Sequence, residues 1–92
     1  MAELIVEIVA LDRKIWAGAA RLVRVRTTEG DIGVMPGHQS MAGLLKPGEF
    51  AIDRVEGDRL TGRIDSGLVS VDQNRVTIVA DTVSLDSEKQ SA

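Results

Sequence analysis

Residues 4–10 read Leu4-Ile5-Val6-Glu7-Ile8-Val9-Ala10, and their order decides the fold class. Leu4, Val6, Ile8 and Ala10 fall on one side of an extended chain, with Ile5, Glu7 and Val9 on the other. A period of two belongs to a β-strand with one face buried, whereas a helix would repeat every 3.6 residues. The same alternation runs outward through the chain. In a strand expected over Arg21–Thr28, Val23 and Val25 oppose Arg24 and Arg26, which gives it a charged outer face. Phe50 and Ile52 oppose Ala51 and Asp53, and Leu60 and Ile64 oppose Thr61 and Arg63. Val69 and Val71 oppose Ser70 and Asp72, and Val76, Ile78 and Ala80 are followed by Val83 and Leu85.

Between these runs stand Glu29-Gly30-Asp31, Lys46-Pro47-Gly48, Glu56-Gly57-Asp58 and Asp72-Gln73-Asn74, residues that tolerate tight or left-handed backbone. Short strands with frequent turns predict an all-β sandwich or barrel and not a βαβ fold. A helical turn is expected only around His38 to Leu45, weakened by Gly43. Residues 1–85 are expected to form one domain. Residues 86–92, Asp-Ser-Glu-Lys-Gln-Ser-Ala, have no apolar anchor and are expected to form a disordered tail.

Composition removes several functions. A formal net charge of −3 lacks the basic face that phosphate neutralisation needs, and nucleic acid is therefore not an expected partner. Trp16 and Phe50 are the only aromatic residues, too few for a base-stacking platform. With no cysteine, disulfides, thiolate zinc sites and thiol nucleophiles are excluded. No apolar run is long enough for a membrane span, and Met1-Ala2-Glu3-Leu4 has no basic secretion-type start.

The residues that could carry chemistry do not assemble into a catalytic set. His38 is the one histidine, and a hydrolase or lyase would pair it with an activated hydroxyl or a turn carboxylate. Ser40 lies two residues away, a spacing that seldom aims two side chains at each other. Further metal ligands of the His or Cys type are missing, so neither a metal nor another cofactor is expected. Gly30, Gly33 and Gly37 bracket a short Asp31-Ile32 strand with no helix after it, unlike a phosphate-binding loop. They are expected to be turn glycines with positive φ. Arg13, Arg21, Arg24 and Arg26 are flanked by acidic turns and are expected to form a solvated face. The segment Val34-Met35-Pro36-Gly37-His38 through Met41, Leu44 and Leu45 is a connection rich in large apolar residues. It either docks a partner or caps one end of the sandwich.

The run Thr28-Glu29-Gly30-Asp31-Ile32-Gly33-Val34-Met35-Pro36-Gly37-His38 resembles a signature of the epsilon subunit of F-type ATP synthases. Val6-Glu7-Ile8-Val9, Asp12-Arg13, an expected Trp16-Ala17-Gly18 turn, Leu45-Lys46-Pro47-Gly48 and Val76-Thr77-Ile78-Val79-Ala80-Asp81 agree with it in order and spacing. The likeness spans about residues 3 to 85. It implies a sandwich of about ten short, mainly antiparallel strands in two five-stranded sheets. It also implies a non-catalytic place in the central stalk, linking the gamma subunit to the membrane c-ring.

By position, Glu29, Gly30 and Asp31 would meet the c-ring, and His38, Met41 and Leu44 would meet gamma. The subunit would be a peripheral membrane protein through its complex, on the cytoplasmic face of a bacterial plasma membrane or the organellar equivalent. The resemblance implies that the family usually continues into a helical hairpin that can restrain ATP hydrolysis and that, in the members that bind ATP, carries most of the site, so tight ATP binding is not expected of these 92 residues. Many members have Gly-Gly where this chain has Ser66-Gly67, a change expected to be tolerated if only Gly67 needs positive φ. The alternatives are a small hydrolase or lyase using His38 and a generic ligand-binding barrel.

Overall fold

The structure, a computed structural model, describes residues 2–86. Met1 and residues 87–92, most of the expected tail, lie outside the described residues. The elements are β1 (Leu4–Ala10), β2 (Arg13–Thr27), β3 (Gly30–Val34), β4 (Met41–Leu45), β5 (Gly48–Arg54), β6 (Leu60–Ile64), β7 (Gly67–Asp72), β8 (Arg75–Ala80) and β9 (Val83–Leu85).

The first part of β2 pairs with β1, which runs parallel to β8; β8 pairs with β7, and β7 with β4. The second part of β2 lies between β3 and β5, and β5 leads through β6 to β9. Ala20 pairs with both Leu4 and Arg54, and the register slips between Ala20 and Leu22. An irregularity of this kind bends a strand and lets it pass from one layer to the other. The two sheets thus have five strands each, and the nine elements become ten because β2 serves both. A single rung, Thr27 to Leu45, joins β2 to β4 and closes a circuit through the first sheet.

The alternation predicted from sequence is the burial observed. Leu4, Val6, Ile8, Val23, Ile52, Val69, Val76 and Ile78 are completely buried, and Val25, Phe50, Leu60, Ile64, Val71, Ala80 and Val83 join them in the core. Each full-sized aliphatic side chain removed from water contributes about 1.5–3 kcal/mol before entropy is charged. The layers are therefore held by these inward rows, while Arg24 and Arg26 point to solvent.

Three local expectations are corrected. His38 to Leu45 contains no helical turn; Met41–Leu45 is strand β4, with Leu45 buried and Leu44 outside. Pairing with β7 along all five residues overrides the weak helical signal. Trp16-Ala17-Gly18 is not a turn but part of β2, where the Trp16 ring lies over Gly18. Of the glycines expected at positive φ, Gly30 and Gly37 have it, but Gly33 and Gly67 do not. Gly67 is needed for closeness instead, since a Cβ there would collide with the backbone carbonyl oxygen of Val79. The Asp72-Gln73-Asn74 turn does use left-handed backbone, with φ of 48° at Gln73 and 65° at Asn74. That geometry is the type I′ pattern of a two-residue hairpin, here joining β7 to β8.

Candidate partner-binding surface

The two outer faces of the sandwich differ in character. On the sheet containing β3, β5 and β6, charges of both signs alternate. Arg26 pairs with Asp31 at 3.1 Å and Arg59 with Asp53 at 2.7 Å. Arg24 lies across from Gly33 and Ala51, and Glu49 across from Arg63. An open groove of about 630 Å³ runs over this face, with Arg24, Arg26, Arg59, Asp31, Glu49 and Asp86 on its sides. Balanced, exposed charges of this kind make a solvated sheet face for Arg24 and Arg26, whereas Arg13, expected with them, lies on the other sheet opposite Ala10. Asp86, expected at the start of the tail, accepts a hydrogen bond from the Thr61 hydroxyl at 2.7 Å.

The outer face of the other sheet carries an apolar row. Leu44 on β4 stands opposite Leu68 on β7, Leu68 opposite Val79 on β8, and Val79 opposite Val9 on β1. Leu44 is 58% exposed, Leu68 52% and Val79 38%. Directly cross-strand side chains lie close enough to form one continuous surface. The neighbouring row is small or weakly polar, with Ala42, Ser70 and Thr77 leading to Glu7, whose charge is met by Lys14 at 3.1 Å. The next row carries Asp72 opposite Arg75, beside the exposed Ile5, so the charges of this face lie away from the Leu44–Leu68–Val79 row.

At one end of the face lies the β2–β3 hairpin. Thr28 N–H donates to Leu44 O at 3.0 Å, and Lys46 N–H donates to Arg26 O at 3.0 Å, which ties the hairpin to the end of β4. Glu29 and Asp31 are exposed at its tip, and Gly30 supplies φ of 124°. At the other end of β4 is the segment 35–40. Gly37 N–H donates to Asn74 Oδ1 and the Ser40 hydroxyl to Asp72 Oδ1, both at 2.8 Å. The loop is therefore fastened to the β7–β8 turn.

The residues singled out from sequence are spread along this surface. Leu44 belongs to the apolar row. Met41 has the opposite parity on β4 and packs against the core, so its side chain does not share Leu44's face. His38 is half-buried in the loop; its backbone N–H donates to Met35 O at 3.1 Å, and its Nδ1 lies 2.8 Å from Gln39 O, a geometry in which the ring nitrogen donates. The Ser40 hydroxyl donates to Asp72 and not to His38, so the two are not hydrogen-bonded to each other. Glu29, Gly30 and Asp31 stand together at the tip, at the far end of β3 from His38. Leu68 and Val79 were not singled out from sequence. Their signal was present, since β7 and β8 carry an apolar residue at an outward position, but it becomes a surface only once the strands are aligned.

Comparison with known proteins gives a consistent result. Residues 3–86 match the model of the family described as ATP synthase, delta/epsilon chain, beta-sandwich domain. The chain is 45% identical over 86 residues to an ATP synthase epsilon chain of Rhodococcus jostii, spanning 92% of this chain and 70% of that one. It is 44% identical over 87 residues to an epsilon chain of Streptomyces avermitilis, spanning 95% and 70%. Among solved structures it resembles a chain of the Euglena gracilis mitochondrial ATP synthase, in a structure that includes the c-ring. There the TM-score is 0.86 at 25% identity, over 99% of this chain and 61% of that one. A chain from the central stalk and c-ring of the Tetrahymena thermophila enzyme shares the fold, with a TM-score of 0.71 at 14% identity, over 89% of this chain and 66% of that one.

Proposed function

The chain belongs to the delta/epsilon-chain β-sandwich family of ATP synthase, whose members it matches as epsilon chains and not as catalytic subunits. From that premise we propose that residues 1–85 act as a coupling module of the central stalk, joining the gamma subunit to the c-ring so that ion-driven rotation reaches ATP synthesis.

The observation that carries this reading is the two-sidedness of the sandwich. An apolar row crosses β4, β7, β8 and β1 on one outer face and leads to an acidic hairpin tip, while the other face is charged and solvated. Gamma takes the apolar row, with Leu44, Leu68 and Val79 at its centre and His38 at the edge. Met41 supports it from beneath. The c-ring takes Glu29, Gly30 and Asp31, because an acidic turn can meet basic and amide groups and fix orientation. Extended, hydrogen-bonded strands give the module the stiffness a torque-bearing part needs. Among the described residues no helix is long and apolar enough to cross a membrane. Association with the membrane, on the cytoplasmic face of a bacterial plasma membrane or its organellar equivalent, is assigned to the complex. Tight ATP binding is not part of this role.

The test is association of the purified chain with its cognate gamma subunit and with detergent-solubilised c-ring. Binding at micromolar concentration is expected for gamma. A contact with the ring that weakens as salt rises is expected for the acidic tip. Failure to associate with gamma at those concentrations would overturn the proposal.

A further inference from the structure

The β7–β8 turn sends two side chains out of itself, and both end on the connection between β3 and β4. Within that connection Met35-Pro36-Gly37-His38 makes a turn of its own, closed by the His38 N–H on Met35 O at 3.1 Å. Proline at the first central place and glycine with φ of 92° at the second are what a type II turn favours. The Gly37 N–H has no part in that turn's own bond. Asn74 Oδ1 accepts it instead at 2.8 Å, from 37 positions along the chain. Three residues further on, the Ser40 hydroxyl donates to Asp72 Oδ1, also at 2.8 Å.

Asn74 is not the residue that the hairpin alone would choose. It is the second central residue of a type I′ turn, with φ of 65°, where glycine fits without strain. A glycine would serve the hairpin at least as well, but it would offer no amide to Gly37. The Asn74 backbone is also tied to β1, since its carbonyl accepts from the Ile5 N–H at 2.8 Å. Its side chain is therefore aimed from a fixed base. We propose that Asn74 is the latch of the β3–β4 connection, and that residues 35–40 open as a local unit while the sandwich stays folded. Two exposed hydrogen bonds fasten this segment to the turn, whereas β3 and β4 on either side are held by strand pairing and by buried Val34 and Leu45. Opening the segment thus breaks far less than unfolding the sheets does. The latch sets how the exposed Met35 and half-buried His38 are presented beside β4. It goes beyond the coupling role and does not depend on which partner the surface meets.

The test is amide hydrogen exchange, followed by NMR, in the parent chain, Asn74→Gly and Asn74→Asp. Asn74→Gly keeps the left-handed backbone and removes the acceptor, whereas Asn74→Asp keeps both. Asn74→Gly is expected to speed Gly37 exchange about tenfold, the scale of one lost hydrogen bond, without speeding that of Ile78 in the middle of β8. Asn74→Asp is expected to resemble the parent. In the parent, Gly37 exchange is expected to be nearly independent of urea below the unfolding transition, because a small opening exposes little surface. Ile78 exchange is expected to rise with urea over the same range. An unchanged Gly37 rate in Asn74→Gly, the same gain in Asn74→Asp, equal acceleration at Ile78, or a Gly37 rate that follows Ile78 as urea rises would each overturn the proposal.

Discussion

At Gly67 the backbone of β7 runs so near β8 that no side chain fits. A Cβ there would meet the Val79 carbonyl oxygen and the Ala80 Cα, both backbone atoms that cannot step aside as a flexible side chain could. Gly67→Ala is therefore expected to cost about 3 kcal/mol, the upper end of overpacking, and to lower the urea midpoint with little change in slope. An unaltered midpoint would show that β7 can shift at no cost. Gln73 presents a contrasting case. It holds φ of 48° without being glycine, asparagine or aspartate, in a turn whose geometry favours those residues. Gln73→Asn is expected to raise stability by about 0.5 kcal/mol, read as a small increase in thermal midpoint. Asn74, whose side chain accepts from Gly37, is left intact by that change.

Among the elements, β4 decides how the surface works. Its five residues carry one buried leucine, Leu45, and one exposed leucine, Leu44, at adjacent positions of opposite parity. The buried one anchors the strand, and the exposed one presents it. Leu68 on β7 and Val79 on β8 extend that exposed row. Leu68→Asp places a charge in the middle of the row without touching the core. It is expected to change folding stability by no more than about 1 kcal/mol. Binding to gamma is expected to fall at least tenfold in the same variant, measured by titration calorimetry. Retained binding would remove the apolar row from the interface. The long β2 explains how one module can hold both features, because it contributes to each sheet and ends at Thr27, where the acidic tip begins.

For the whole molecule, the circuit of strands matters more than any one sheet. The first sheet closes on β2 through the Thr27–Leu45 rung, and the second begins from the same strand. Neither layer can leave without uncovering the inward rows of the other, so unfolding is expected to be a single cooperative transition. Trp16 is the only tryptophan and sits partly buried against the core on β2, which makes its fluorescence a local probe. Its transition in urea is expected to coincide with loss of the far-ultraviolet β signal. Two separated transitions would show that the layers melt independently.

Much of this was legible along the chain because a strand's side chains alternate whatever its neighbours are. Leu4 to Ala10, Val23 and Val25, and Val76 to Ala80 announced their buried faces before any pairing was known, and Glu29-Gly30-Asp31 announced a turn. Trp16 to Gly18 and Met41 to Leu45 were misread, since glycine and short apolar runs carry no decisive local preference and cross-strand pairing chose their conformation. The row of Leu44, Leu68, Val79 and Val9 could not be read at all from order alone, because its members are scattered over seventy positions and meet only through register. By itself the sequence determined most of the inward rows and the Glu29-Gly30-Asp31 and Asp72-Gln73-Asn74 reversals, both consequences of local geometry. Only the tertiary structure decided which outward residues become neighbours, and which of two nearby carboxylates is already matched by an arginine, because both depend on the alignment of strands distant in the chain.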